Sequence, residues 1–209
     1  MRSGGKRLRP RLCEAVYRHF RPDGDADLKP ILEAIESFHK ASLIHDDIQD
    51  ADRERYGRPT VWVEHGIPVA IAAGDWLLAH GLELISGCRS AAAGEMHCAT
   101  TRAIRVLCEG QGDELTGRGD YLSICRAKTG SLFALAAELG ALAAEADPVP
   151  LHDWGVEFGV LFQLHDDRED GKRLETGLRL EDLIADFKRR FAAYDWLSDF
   201  HLSLLQNPR

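Results

Sequence analysis

Two short acidic motifs hold the residues of this chain that are best suited to metal chemistry. HDDIQD spans residues 45–50 and HDDRED spans residues 165–170, so one histidine and three aspartates recur at the same spacing. Residues four apart lie on one face of an α-helix, about 6 Å apart along its axis. If each motif is helical, its first and last aspartates point the same way, with the middle aspartate beside them.

The spacing of these carboxylates indicates a magnesium site. Each triad is a costly cluster of like charges, and burial would favour protonation unless a cation is bound. Mg²⁺ fits best, because it prefers a few carboxylates and takes its remaining ligands from water and substrate phosphates. Two helices that face each other would place the triads on opposite walls of one site. Such a site could clamp a diphosphate and stabilise it as a leaving group.

The competing interpretation of an acidic motif is a solvated helix face. For one triad alone that interpretation is the better one, because runs of acidic residues usually face water. Here both triads follow apolar residues on helices that should be mostly buried, and this combination favours a functional site. An EF-hand calcium site is disfavoured, because its ligands lie on a loop with a glycine turn.

The elements that must position the motifs are predicted to be helices. Apolar residues recur at helical spacing in six segments, which are 28–50, 68–85, 91–112, 121–146, 153–170 and 180–205. Strand signals are nearly absent, apart from the short VWV at 61–63. No linker or composition break divides the 209 residues. We therefore expect a single all-α domain over residues 1–209, a bundle of long helices.

Composition limits the classes of partner and the cellular compartment that we expect for this protein. The net charge of −8 argues against nucleic acid as a partner. The five cysteines form no CxxC pair, which indicates reduced thiols in a cytoplasmic protein. The longest apolar run, 132–146, is interrupted by Glu138 and Glu145, so we expect a buried helix and no transmembrane segment. The basic N-terminal residues lack the apolar stretch of a signal peptide.

At the level of motifs, the chain resembles the trans-isoprenyl diphosphate synthases, also called polyprenyl synthetases. Any one of the matching segments is moderately specific, and their common order makes the set very specific. The segments are GGKRLRP at 4–10, HKASLIHDDIQD at 39–50, RYGRPT at 55–60, GDWLL at 74–78, EGQGDEL at 109–115, Tyr121 with Lys128 and Thr129, and GVLFQLHDDRED at 159–170.

The resemblance implies a helical bundle around a deep apolar cavity, usually as a homodimer, that condenses isopentenyl diphosphate with an allylic diphosphate. It implies that several Mg²⁺ ions are held by six aspartates, Asp46, Asp47, Asp50, Asp166, Asp167 and Asp170. Isopentenyl diphosphate would be bound by Lys6, Arg9 and His39, and the allylic side would be lined by Arg55, Lys128, Thr129 and Gln163. The implied catalytic residues are Asp46, Asp50, Asp166 and Lys128.

The same resemblance carries an expectation about product length. In this family, the residues four and five before the first aspartate help to set the cavity floor, and bulky aromatic residues there give short products. Here they are the small Ser42 and Ala41, with Phe38 two turns from Asp46. We expect a product longer than fifteen carbons, and a shorter one after Ala41→Phe.

The chain departs from the family pattern in three ways. Tyr56 stands where the family usually has a second arginine that helps to bind isopentenyl diphosphate. The fold is expected to be shortened after the second motif, where relatives have a further lysine-containing region, and before GGKRLRP. These departures leave two alternatives open: a class I terpene cyclase acting on a prenyl diphosphate, and a catalytically weak regulatory subunit of a heteromeric synthase.

Overall fold

The computed structural model describes residues 7–169, 171 and 179–197 of the chain. The regular elements of this part are helices apart from one two-stranded hairpin, which confirms the all-α prediction. The helices are α1 Leu8–Phe20, α2 Lys29–Gln49, α3 Val61–His65, α4 Ile67–Ser86, α5 Ala93–Leu115, α6 Tyr121–Cys125, α7 Ser131–Ala143, α8 Val149–Glu169 and α9 Leu180–Arg190. A π-helical turn, Arg126–Gly130, joins α6 to α7, and a 3-10 helix covers Ala192–Leu197.

Several boundaries differ from those predicted. The VWV segment forms the short helix α3, and the hairpin lies before it, with β1 Glu54–Arg55 paired antiparallel to β2 Arg58–Pro59. The segment 121–146 is interrupted by the π-helical turn. Helix α8 starts four residues earlier than predicted, because Pro150 suits a first helical turn. The helix predicted over 180–205 ends at Arg190, and residues 198–205 lie outside the described residues.

Helix α1 was not predicted, because its basic residues resemble a solvated arm. Its apolar face buries Leu12, Cys13 and Val16 in the core, where it packs against α7. Tertiary packing of this face stabilises a helix that charge composition alone does not suggest.

Helix α7 is the centre of the bundle. It packs against α1, α5 and α8, and nearly all of its residues are buried. A helix that is apolar on every face is typical of the core of a bundle. The apolar run at 132–146 therefore forms a buried helix, as predicted.

Two glycines of α4 allow close contact with α2, which carries the first motif. A Cβ on Gly74 would come 2.2 Å from His45 Nε2, and one on Gly81 would come 2.4 Å from Phe38 Cε1. Both aromatic rings therefore occupy space that any other residue would fill. The glycine in the GDWLL segment thus positions α2 at the level of its aspartates.

Away from the motifs, a buried carboxylate connects three helices through charged contacts. Glu138 of α7 is 5% exposed, and its Oε1 accepts a hydrogen bond of 2.6 Å from Arg102 of α5. His152 Nδ1 of α8 lies 3.2 Å from Glu138 Oε2. The carboxylate of Glu138 raises the pKa of His152, although burial and the charge of Arg102 oppose it. Asp153 also favours the protonated imidazole.

The contact between Glu138 and His152 should make the stability of the protein depend on pH. Because folding raises the pKa of His152, its contribution is complete below the unfolded pKa of about 6.5 and is lost as pH rises through the folded pKa. His152→Gln should therefore cost more stability at pH 6 than at pH 8.5, by less than about 1 kcal/mol for this partly exposed pair. Urea unfolding at both pH values measures the difference, and an equal cost at both would contradict the prediction.

Candidate active site

The first motif lies at the C-terminal end of α2. The backbone N–H of Asp50 donates to the carbonyl of Asp46 at 2.8 Å, so these residues are one helical turn apart, as predicted. Asp46 is half-buried, Asp47 is buried and Asp50 is exposed. Arg55 of β1 folds back over the helix and donates from Nε to Asp47 Oδ1 at 2.6 Å, and its Nη2 forms an ion pair with the same oxygen at 2.6 Å. This ion pair holds Asp47 in one orientation.

The second motif lies at the C-terminal end of α8, where protein donors hold the buried Asp167. Tyr121 of α6 donates its hydroxyl to Asp167 Oδ2, and Gln163 Nε2 donates to Asp167 Oδ1 at 3.1 Å. Thr129 of the π-helical turn donates to Gln163 Oε1 at 2.8 Å. Asp166 is half-buried, and Asp170 lies outside the described residues. The middle aspartate of each motif is thus oriented by neighbouring protein groups.

Lys128 links the electrostatics of the two motifs. Burial raises the pKa of Asp46; the positive charge of Lys128 opposes this shift and Asp50 adds to it. Burial also raises the pKa of the Cys125 thiol to about 11, and here Asp167 and Lys128 act with opposite signs. Lys128 is therefore within electrostatic range of Asp46 on α2 and of the thiol beside Asp167. The charge of Lys128 thus acts on a carboxylate of the first motif and on a thiol next to the second.

The π-helical turn gives Lys128 and Thr129 their positions. Single π-helical turns inside α-helices often occur at functional sites, because the extra residue redirects the side chains. Lys128 pairs with the carboxylate of Glu114 of α5, and Thr129 faces α8. The sequence brought both residues to attention through the resemblance, but no local pattern indicated the π-helical turn.

Arg9 and His39 form a second basic group, and both residues are half-buried. Arg9 Nη1 lies 3.4 Å from His39 Nε2, and the guanidinium lies 4.4 Å from the centre of the Phe133 ring. Burial lowers the pKa of Arg9 to about 10, while Asp166 and other acidic neighbours favour its charge. Burial and the charge of Arg9 hold the pKa of His39 well below its usual value, so its imidazole is neutral. Lys6 lies outside the described residues.

Tyr56 occupies the turn of the hairpin beside this group. It is 68% exposed and has a left-handed backbone with φ of 54°, next to Gly57. Its hydroxyl is close enough to Arg9 to influence the pKa of that guanidinium. The departure from the family pattern therefore lies at the basic group that the resemblance connects with isopentenyl diphosphate.

The three residues expected to set product length lie on α2 below the aspartates. Phe38 is buried against Gly81, and Ala41 is fully buried in the core. Ser42 keeps some exposed surface and donates its hydroxyl to the carbonyl of His39 at 2.8 Å. Of the two small residues, Ser42 is the one that is not fully buried.

The donor set fits magnesium in kind. Within the described ranges, no three acidic, histidine or cysteine side chains converge closely enough to hold an ion by themselves. Mg²⁺ typically needs only one or two carboxylates and takes further ligands from water and phosphate. The raised pKa of Asp46 is the electrostatic sign of a carboxylate that a nearby cation would stabilise.

Two groups at the site were given no role by sequence analysis. Glu114 lies within the quoted segment EGQGDEL, and its ion pair with Lys128 depends on the approach of α5 to the π-helical turn. Tyr121 lies 46 residues from Asp167 along the chain. Both were part of matching segments, which is the signal that could have assigned them.

Comparison with known proteins places these features in a family. The family model for polyprenyl synthetase matches residues 1–179. A short chain isoprenyl diphosphate synthase of Methanocaldococcus jannaschii is 36% identical over 175 residues, covering 79% of this chain and 53% of that protein. A geranylgeranyl pyrophosphate synthase of Geoglobus acetivorans is 35% identical over 187 residues, covering 81% and 57%.

Solved structures show the same fold. A polyprenyl synthetase from Streptomyces coelicolor A3(2) superposes with a TM-score of 0.73 at 33% identity, covering 84% of this chain and 55% of that chain. The chain spans about half the length of the curated relatives it matches. The family match, the relatives and the paired aspartate motifs agree, and this chain belongs to the polyprenyl synthetase family.

Proposed function

We propose that this chain catalyses Mg²⁺-dependent head-to-tail condensation of isopentenyl diphosphate with an allylic diphosphate, giving a trans-polyprenyl diphosphate. The observation that carries the proposal is the placement of Lys128: its charge acts on Asp46, and its neighbour Thr129 is hydrogen-bonded through Gln163 to Asp167. This arrangement suits a diphosphate, because a cation and carboxylate-bound metal ions can share its negative charge.

In this mechanism the protein groups divide into two sets. Asp46, Asp50 and Asp166, with Asp170, would hold the ions, while Asp47 and Asp167 stay oriented by Arg55, Tyr121 and Gln163. Bound magnesium would supply positive charge that stabilises the departing diphosphate. Lys128 binds the same diphosphate directly, so its role is strongest when the leaving group carries most charge.

Arg9 and His39 would bind the second substrate. The guanidinium of Arg9 can bind a diphosphate through two N–H groups, and the neutral His39 leaves the net positive charge to it. Isopentenyl diphosphate would attack the allylic cation through its double bond, and the released diphosphate would take the proton that is then lost. Carbon–carbon bond formation and proton loss together balance the departure of the diphosphate.

One incubation tests this function against its alternatives. Purified protein is given Mg²⁺, labelled isopentenyl diphosphate and allylic primers of increasing length. We expect the label in a longer diphosphate, with the incorporation abolished by EDTA and restored by Mg²⁺. A hydrocarbon formed from the primer alone would indicate a terpene cyclase. Tyr56 favours this alternative, because it stands where the family usually has an arginine that helps to bind isopentenyl diphosphate. No turnover without a second polypeptide would indicate a regulatory subunit.

We also propose a product longer than fifteen carbons. The small Ser42 would leave space for the growing chain beside α2, and the relative from Geoglobus acetivorans is named for a twenty-carbon product. Ser42→Phe should shorten the main product, because a phenyl ring would fill that space. Chromatography of the dephosphorylated products measures the effect. Ala41→Phe is the second variant, with melting recorded because Ala41 is fully buried.

We propose a homodimer that uses the exposed surface of α4. Four large apolar residues there are 46–59% exposed: Ile67 and Ile71 lie one turn apart on one side of the helix, and Val69 and Trp76 lie two turns apart on another. Exposed apolar patches of this kind usually mark interfaces. In the described part of the chain, α4 is also the helix that meets the length and composition of a membrane span. Reduced cysteines remain the basis for proposing a cytoplasmic protein.

Ile71→Glu should convert the dimer to a monomer, because it places a charge on this exposed apolar surface. Light scattering coupled to size exclusion measures the mass. Val149→Glu, at a residue 65% exposed on α8, is the control and should leave the dimer intact. A monomeric wild-type protein that sediments with lipid vesicles would contradict the proposed dimer and indicate a membrane surface.

A further inference from the structure

We propose that the side-chain amide of Gln111 hydrogen-bonds the prenyl diphosphate near its ester oxygen, about one helical turn deeper in the bundle than the Lys128–Glu114 ion pair. This inference rests on the proposed function, since it needs a prenyl diphosphate in this space. It assigns a substrate contact to a residue for which sequence analysis found no specific role.

Gln111 is buried without a partner. Its side chain lies on α5 and the residue is 6% exposed. Neither Nε2 nor Oε1 has a hydrogen-bond partner in the described part of the chain. Buried amides are nearly always paired, and an unpaired one lowers the stability of the ligand-free protein. The unpaired amide therefore destabilises the ligand-free protein, and a ligand that hydrogen-bonds to it would remove this destabilisation.

Gln163 shows what a structural glutamine looks like at the same site. Its oxygen accepts a hydrogen bond from Thr129 and its nitrogen donates to Asp167, so both ends of the amide are used within the protein. Gln111 differs in having both ends unused, although it is the more buried of the two. An ordinary structural role does not explain this difference.

The helical register of α5 places Gln111 close to the residues that would bind the diphosphate. Gln111 precedes Glu114 by three residues, so the two share one face and lie about 4.5 Å apart along the axis. Glu114 pairs with Lys128, whose charge reaches Asp46. The neighbouring Gly110 fits tightly against the π-helical turn, since a Cβ there would lie 2.4 Å from Ala127 Cβ.

The chemistry of an amide suits this position. Its N–H groups can donate to the ester oxygen of the substrate, which gains negative charge as the carbon–oxygen bond breaks. Its carbonyl oxygen is an acceptor whose partial negative charge favours the cationic allylic carbons. A neutral amide can interact favourably with both atoms of the breaking carbon–oxygen bond. A lysine would favour only the oxygen, and an aspartate only the carbon.

The test compares Gln111→Leu, which keeps the size but removes the amide, with the wild-type chain. The probe is 2,3-dihydrofarnesyl diphosphate with Mg²⁺, an unreactive analogue that keeps the ester oxygen but cannot form an allylic cation, and calorimetry measures its affinity. We expect Gln111→Leu to bind it about tenfold more weakly and to lower kcat. The same variant should melt about 2–4 °C higher without ligand, because the unpaired amide is gone.

The matched control is Thr100→Val, about three turns away on α5. Thr100 is fully buried, but its hydroxyl donates to the carbonyl of Met96 at 2.8 Å, so it needs no ligand. We expect this variant to keep the affinity of the wild-type chain and not to gain stability.

Three results would overturn the inference. If Gln111→Leu binds the analogue as tightly as the wild type, the amide does not contact it. If the ligand-free variant melts lower, the amide has a structural partner such as a buried water. A wild-type chain that binds the analogue but does not convert isopentenyl diphosphate and an allylic primer to product counts against the proposed function alone, and the comparison of affinities still decides the role of Gln111. Failure of the wild type to bind overturns both.

Discussion

Asp46→Asn should lower kcat/KM for prenyl transfer by about 10²–10⁴-fold, which corresponds to several kcal/mol of lost transition-state stabilisation. Asparagine keeps the shape of the side chain but removes the negative charge that would hold a metal ion. The loss should fall mainly on kcat, because the interaction is strongest when the diphosphate departs. Steady-state kinetics at saturating Mg²⁺ measures it.

The same substitution should leave stability intact or improve it. Burial raises the pKa of Asp46, so the ionised carboxylate is less favourable in the folded protein than in the unfolded chain. The Asp46→Asn variant should therefore be more stable than the wild type at pH 7–8, and the advantage should disappear as pH falls below the unfolded pKa of Asp, about 4. Asp23→Asn, in the exposed loop before α2, is the charge-matched control. Retention of more than about a tenth of the activity would contradict the assignment of Asp46 as a metal ligand.

Gly159→Ala should destabilise the protein by about 2–3 kcal/mol, because it overpacks a close helix contact. A Cβ on Gly159 would lie 2.6 Å from the Cα of Gly130, which is backbone and cannot move aside alone. One turn earlier, a Cβ on Gly155 would lie 2.5 Å from the Cα of Ala134. Helix α8 would have to move away from α7 and the π-helical turn.

This movement should also reduce activity in the folded fraction. The hydrogen bond from Thr129 to Gln163, which orients Asp167 in turn, spans the same helix contact. Urea unfolding and kinetics below the melting temperature separate the two effects. Gly94→Ala on α5 is the control, because open space surrounds that position, and it should be neutral or stabilising by up to about 1 kcal/mol. Equal stability of the two variants would show that α8 does not depend on the glycine contact.

Much of the candidate site could be predicted from the sequence because its signals are local. The helical period alone places Asp46 and Asp50 one turn apart, and the hydrogen bond between their backbones agrees. The apolar composition of 132–146 indicates burial wherever that segment lies. The order of the motifs indicated the family. The resemblance then assigned site residues that lie far apart in the sequence and that no local pattern connects.

What only the tertiary structure decided is which side chains meet. Arg55 reaches Asp47 through the hairpin, and Tyr121 reaches Asp167 across 46 residues of chain. Glu114 meets Lys128 because Gly110 lets α5 lie against the π-helical turn, and Gln111 is left unpaired by the same packing. Periodicity specifies the face of a helix on which a residue lies. The neighbour of that face depends on how separate helices pack, and this is a property of the whole bundle.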